Sequence, residues 1–218
     1  VGVAIHTILY VRQVYPAELF IRRKKYDTPV YQSRHPGLNE YISGAIKAVG
    51  QELILGHVDK VVVVIKDKHD VALERFIFSI QNMIEVESYN KDTSIEDAMP
   101  STVLGQYFRS FLIKLNMIES QLGELAPTDG NTFAILLELQ DNKAPTVGLS
   151  KDDPPPWMPA NIGDTTSGAS DEAELYMVRA VDTGVINLSL AVQESAEKLR
   201  MLAEENGHTT GKGKERAK

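Results

Sequence analysis

No cysteine occurs among the 218 residues. That excludes a disulfide framework, cysteine-ligated zinc and a thiol nucleophile, and it suits a reducing compartment, cytosol or nucleus. Long apolar runs are missing too. The longest are of the length of Val61 to Ile65, far below the roughly 20 residues a membrane-spanning helix needs. The signatures of common catalytic sites are also absent: there is no phosphate-cradling glycine loop before Lys-Ser/Thr, no dinucleotide fingerprint, no H-E-x-x-H and no G-x-S-x-G. The histidines (His6, His35, His57, His69 and His208) are scattered, with no two at i, i+4, so no metal site is expected. Glu18, Asp27, Glu40, Asp59 and Asp67 show no pairing suited to acid/base work and read as solvated surface. No catalytic residue, no metal and no cofactor is therefore expected.

What is present is ordinary globular composition, with 43% hydrophobic and 24% charged residues, so a core can form. Asp+Glu 30 against Lys+Arg 23 gives a net charge of −7, which argues against wrapping nucleic acid over the whole surface. The length suits one large domain, or one domain plus tails.

The opening Val1-Gly2-Val3-Ala4-Ile5 carries helical spacing with Ile8 and Leu9 but starts without a capping residue. We read it as a helix cut from a longer one, with a piece missing before it. Tyr15-Pro16 ends that pattern. Leu19-Phe20-Ile21 reads as a short strand, followed by the basic run Arg22-Arg23-Lys24-Lys25. His35-Pro36 opens a helix, proline taking a first-turn position where its missing N–H costs nothing. Val61 to Ile65 reads as a strand buried on both faces. After a turn at Asp67 to Asp70 comes an alternating strand, with Phe76, Phe78 and Ile80 on one side and Arg75, Ile77 and Ser79 on the other.

Leu104, Phe108, Phe111, Leu115, Ile118 and Leu122 mark the strongest helical stripe. It predicts a helix from Ile95 to Leu125, roughly 45 Å long at 1.5 Å per residue. Phe133 to Leu139 reads as another strand. Gln140 to Ala173 breaks the pattern with five prolines (Pro145, Pro154, Pro155, Pro156 and Pro159), three glycines and Trp157, the only tryptophan. A final hairpin joins Leu175–Val181 to Val185–Val192 through Asp182-Thr183-Gly184. Ala196 to Glu205 reads as a short exposed helix, and Asn206 to Lys218 as a flexible basic tail with a possible targeting role. Three helices on one face of a mostly antiparallel sheet make an α+β domain.

Two features could carry function. The basic run Arg22 to Lys25, with Arg12 and Arg34 grouped nearby, is either a solvated loop or a patch for phosphate or an acidic partner. The Pro/Trp loop could pin an extended peptide against the sheet, which gains backbone hydrogen bonds by strand addition. A buried tryptophan removes about 150–250 Å² from water, or roughly 4–6 kcal/mol before ordering costs. Alternatively Trp157 plugs its own core.

The stretch His6-Thr7-Ile8-Leu9-Tyr10-Val11-Arg12-Gln13-Val14-Tyr15-Pro16 resembles the first helix of the HORMA domain. Arg23-Lys24-Lys25-Tyr26, His35-Pro36-Gly37-Leu38-Asn39-Glu40-Tyr41-Ile42 and Asp59-Lys60-Val61-Val62-Val63-Val64-Ile65 agree in order, and Lys151 to Trp157 resembles the start of the family's safety belt. Within the family the combination is similar to the branch that serves as non-catalytic subunit of translesion DNA polymerase zeta. The resemblance implies a HORMA domain over residues 1–193, with a core to about 139 and a belt and hairpin from about 140, and then a short helix and tail over 194–218.

It further implies an adaptor, not an enzyme, that clamps a proline-containing peptide of the polymerase catalytic subunit. Tyr41, Trp157, Leu38 and Pro156 match the peptide-binding positions. Arg109, Lys114, Arg22 and Gln13 match a surface for pairing two HORMA domains. Leu175, Ser189 and Ala191 match the docking surface for the Y-family scaffold polymerase, although the last two are smaller than in animal members. An AAA+ ATPase is the implied remodeller and the nucleus the implied location; direct nucleic-acid or membrane binding is not expected. Residues 162–174 and those after Val192 have no clear counterpart. The alternative the family allows is spindle or cell-cycle checkpoint control, or DNA-end protection, through a different peptide. A second rival is a nucleic-acid module using Arg22 to Lys25.

Overall fold

Val61 to Ile65 are each 0% exposed, and the β-branched side chains on alternate sides of this one strand split the interior into two cores. The computed structural model describes residues 1–82, 99–123, 125, 130–141, 143–146, 157–184 and 186–212, with the backbone alone for 82 and 205–212. Pro156, the lysine and acids of 151–153 and the expected helix start at Ile95 lie outside the described residues.

The described elements run α1 (Gly2–Val11), β1 (Phe20–Lys25), β2 (Thr28–Ser33), α2 (Pro36–Ile54), β3 (Val58–Lys66), β4 (Ala72–Asn82), α3 (Ser101–Asn116), β5 (Thr132–Leu139), β6 (Glu174–Asp182), β7 (Ile186–Glu194) and α4 (Ala196–Lys212). Strands β3 to β7 form one sheet in the order β5-β3-β4-β7-β6, and every pairing in it is antiparallel. The larger core takes α1, α2 and α3 on one face, with Ile5, Ile8, Leu9, Ile42, Phe76, Phe111, Leu115 and Leu190 among its members. A smaller cluster of Val62, Val64, Ala72, Ile77 and Leu136 lies on the opposite face. The α+β architecture is thus as expected, with the fourth helix longer than the one expected over Ala196 to Glu205.

The expected β3–β4 and β6–β7 hairpins are both present. His35 does cap α2: its Nδ1 accepts from the Leu38 N–H at 3.2 Å, with Pro36 at the first helical position. Three elements differ from expectation. Helix α3 spans 16 residues, about 24 Å, because extended Pro100 opens it and Met117 leaves the helical region. The apolar stripe nevertheless continues, since a 3-10 turn at Ile118–Ser120 keeps Ile118 and Leu122 buried. The basic run is not a loop. It is strand β1, which forms a separate two-stranded sheet with β2. Tyr26 and Asp27, both at positive φ, close this hairpin in the conformation its twist requires, and packing of the Tyr26 ring 5.4 Å from Phe108 offsets the strain. Helix α4 runs to Lys212, and buried Ala196 and Lys198 fasten its first turn, so the residues after 193 are part of the folded unit at least there.

The anchor of α4 is ionic. Glu74 on β4 is 0% exposed. Arg12 at the end of α1 grips it with Nε at 2.9 Å and a terminal nitrogen at 2.5 Å, and Lys198 adds Nζ at 2.6 Å. Lys198 also bonds Glu194, and both cations donate to the Gly123 carbonyl. Two cations and two carboxylates balance, which such burial demands. Arg12 therefore does not belong to the basic patch in which its sequence position suggests it.

Candidate functional site

Strand β5 forms one edge of the large sheet. The Ile135 N–H points away from β3, because it donates to the Tyr41 hydroxyl at 3.4 Å. By antiparallel alternation, the N–H and C=O groups of Phe133 and Leu137 face the same open edge. Tyr41 reaches this edge from α2. Its ring meets Phe133 edge-on at 5.6 Å, and Tyr15 meets the same Phe133 at 6.2 Å. Tyr41 is still 48% exposed. Leu38, one helical turn earlier, is half-buried against the main core, and so is Trp157. The result is an unpaired strand edge flanked by aromatic surface, which suits an added strand. Trp157 rests on the protein's own core and keeps an exposed side.

Residues 163–166 then lie on the opposite face of the sheet and are pinned there by charged groups of the strands. On β5, Glu138 accepts from the Thr166 N–H at 2.7 Å and the Thr166 hydroxyl at 2.6 Å, with Lys60 Nζ of β3 at 3.2 Å. Lys66 at the end of β3 holds the Asp164 carboxylate at 3.2 Å. Arg75 of β4, 3% exposed, donates to the Asp164 and Gly163 carbonyls at 3.1 and 2.5 Å. Nearer the start of the crossing, fully buried Glu52 of α2 accepts from the Thr146 N–H at 2.6 Å and the Thr146 hydroxyl at 2.5 Å. Together these contacts strap the connection from β5 to β6 across the sheet.

Burial alone would raise the Glu138 carboxyl. The two Thr166 hydrogen bonds and Lys60 outweigh it and hold the carboxyl below the ordinary range. Glu52 behaves alike: burial raises it, and Thr146 with the His57 ring lowers it further. Nothing in the sequence pattern singles out these anchors, but one signal was present. Glu138, Lys60 and Arg75 are charged residues set inside apolar strands, each on the face away from the helices.

The other expected site residues divide. Gln13 and Arg22 line one groove of about 650 Å³ with Ile113, Asn116 and Met117, while Arg109 and Lys114 are exposed on α3. Leu175 is 60% exposed on the outer strand β6. Ser189 is half-buried. Ala191 faces away from the main core, as expected, but at 7% exposed, paired with Ile77 and Met177, it offers no surface of its own. Asp67 is also not solvated surface, since its carboxylate is buried and caps the β3–β4 turn through the His69 and Val71 N–H groups. Among the described residues no His/Asp/Glu cluster could hold a metal ion, and no helix is long and apolar enough to cross a membrane.

Comparison with known proteins agrees with this geometry. The rat protein called mitotic spindle assembly checkpoint protein MAD2B is 33% identical over 196 residues, covering 90% of this chain and 88% of its own length. The Schizosaccharomyces pombe DNA polymerase zeta processivity subunit is 38% identical over 121 residues, 55% of this chain and 57% of its own. A chain in the crystal structure of the mitotic checkpoint complex superposes with a TM-score of 0.68 at 19% identity, covering 89% of this chain and 94% of that one. C. elegans HTP-2 bound to a HIM-3 closure motif superposes at 0.63 and 12% identity, over 88% and 86%. The HORMA domain family model matches residues 1–124. With that match and these relatives, the chain belongs to the HORMA domain family.

Proposed function

We propose that the chain is a non-catalytic adaptor, the accessory subunit of a translesion DNA polymerase zeta. It clamps a proline-containing peptide of the catalytic subunit between the β5 edge and the strap over residues 140–173. The observation that carries this reading is the open β5 edge, where Ile135 donates only to the Tyr41 hydroxyl, beside a strap already anchored across the sheet by Glu138 and Arg75. An extended peptide placed there gains backbone hydrogen bonds, and its prolines meet the rings of Tyr41 and Trp157. Release then requires the strap to lift, so the complex is long-lived. Bridging to further lesion-bypass factors, through Leu175 on β6 for a Y-family scaffold polymerase and through α3 for a second HORMA domain, raises effective concentration with no new chemistry. Remodelling by an AAA+ ATPase and a nuclear location belong to the same reading.

Calorimetric titration with a proline-containing catalytic-subunit peptide tests it. Trp157→Ala and Tyr41→Ala are expected to weaken binding at least about tenfold, since each removes a large aromatic contact. Tyr41→Phe keeps the ring and is expected to stay within about threefold of the wild type. Unchanged affinity for Trp157→Ala sinks the clamp. The second reading is checkpoint control through a different peptide, favoured by the name of the relatives called MAD2B. A peptide array carrying both motif types separates the two readings.

A further inference from the structure

The clamp leaves the basic hairpin unused. Its strand β1 exposes Arg22 to Lys25 in succession, and Arg23, Lys24 and Lys25 rim a groove of about 460 Å³ between the hairpin, the first half of α1 and the middle of α2. Val3, Val30, Ile42 and Ile46 give this groove apolar walls, while His6, Gln32 and Ser43 add polar groups. No aspartate or glutamate lines it. Lys24 makes an ion pair with Asp27 at 2.7 Å, but both side chains are more than 70% exposed (72% and 74%) and so exchange readily. Among the described residues no carboxylate lies within ion-pair distance of Arg23 or Lys25. His6 accepts from the Ser33 N–H through Nδ1 at 3.4 Å, so its proton sits on Nε2 and makes it a neutral donor. Burial supports that neutral form by lowering the ring's pKa.

We propose that this groove binds a short acidic peptide segment, with one apolar side chain seated on the half-buried Val3 and Ile46 and carboxylates held by Arg23 and Lys25. Two features favour a peptide over nucleic acid. A phosphodiester chain brings no side chain to cover the apolar walls. The chain as a whole carries a net charge of −7, which repels a polyanion long enough to extend past the groove. The spacing points the same way. Arg23 and Lys25 lie two residues apart on one strand and share a face, roughly 7 Å apart. Carboxylates at i and i+2 of an extended peptide have that separation. The groove is separate from the β5 edge and does not rest on the clamp.

The test uses fluorescence anisotropy of the whole chain with a fluorescein-labelled peptide, Ser-Gly-Leu-Asp-Glu-Asp-Glu-Gly-Ser. Saturable binding that weakens with salt is expected. Affinity should fall about tenfold or more in the R23E/K25E double variant, whose changes are at the surface and leave the fold intact. Ile46→Ser, or replacement of the peptide leucine by glycine, should each weaken binding as well, and binding of a clamp peptide should not change. Equal affinity of the double variant overturns the proposal. So does an oligothymidylate that displaces the peptide at lower concentration than unlabelled peptide does, because the groove would then prefer nucleic acid.

Discussion

Replacing Glu138 by glutamine should loosen the strap while leaving the sheet in place. The carboxylate takes two hydrogen bonds from Thr166 and a third contact from Lys60, and its side chain is 17% exposed. The amide keeps the shape but loses the charge and one acceptor oxygen, so one of the Thr166 bonds and the Lys60 attraction are lost. A hydrogen bond to a charged group contributes about 1.5–3 kcal/mol. That corresponds to an opening equilibrium about ten- to a hundredfold more favourable. Hydrogen exchange of the backbone amides from 164 to 169 reads it directly, and a bound peptide should dissociate faster by a similar factor. Glu172→Gln is the control. It removes the exposed Arg200–Glu172 pair, at 65% and 68% exposure, and should change neither rate. Wild-type exchange in Glu138→Gln would refute the claim that this carboxylate holds the strap.

The pH dependence follows from the same groups. Glu138 and Glu52 both titrate below the ordinary carboxylate range, so their contribution is fully present above the unfolded value of about 4.3 and is lost as pH falls through the lower folded value. Peptide dissociation should therefore be flat from neutral pH to about pH 5 and accelerate in stronger acid; acceleration already near pH 6 would implicate other groups. Lys198→Met should lower the unfolding free energy by about 3–5 kcal/mol, measured by denaturant titration, because Glu74 and Glu194 would then share Arg12 in a buried site. Gly123→Ala places a methyl 2.6 Å from Leu202 Cδ1, which the Leu202 side chain relieves by turning aside, so Tm should fall only slightly, by about 1 kcal/mol of stability or less.

The sheet was legible in the sequence where periodicity reports burial directly. Val61 to Ile65 and the Phe76–Phe78–Ile80 alternation give strands whose partners and faces are as expected. Tyr41 was placed by resemblance to the family, and the structure puts it at the β5 edge through its hydrogen bond with Ile135 and its ring contact with Phe133. Helix α3 was overestimated because an apolar stripe cannot distinguish an α-helix from the 3-10 turn that continues it. Ala191 lies on the expected face but is buried between Ile77 and Met177, because alternation gives the face of a side chain and not its exposure. For the anchors Glu52, Glu138, Lys66 and Arg75 the sequence shows at most a charge within an apolar element, and not the partner. Their partners lie 94 positions away for Glu52, 98 for Lys66, 88 for Arg75 and 28 for Glu138, and no local pattern encodes such distant partners.

The ion cluster around Glu74 has a consequence for how the molecule is assembled. Lys198 lies 124 positions after Glu74, whereas Arg12 precedes it by 62. A growing chain therefore already holds its first countercharge when Glu74 is made and meets its second only 124 residues later. Until then β4 carries a carboxylate with one partner, and the site facing β7 and α4 stays unfinished. Docking of the last hairpin and α4 thus completes the cluster, and because β7 pairs with β4 from Glu74 to Asn82 and puts Leu190 and Val192 into the main core, their departure would uncover both a strand edge and buried apolar surface.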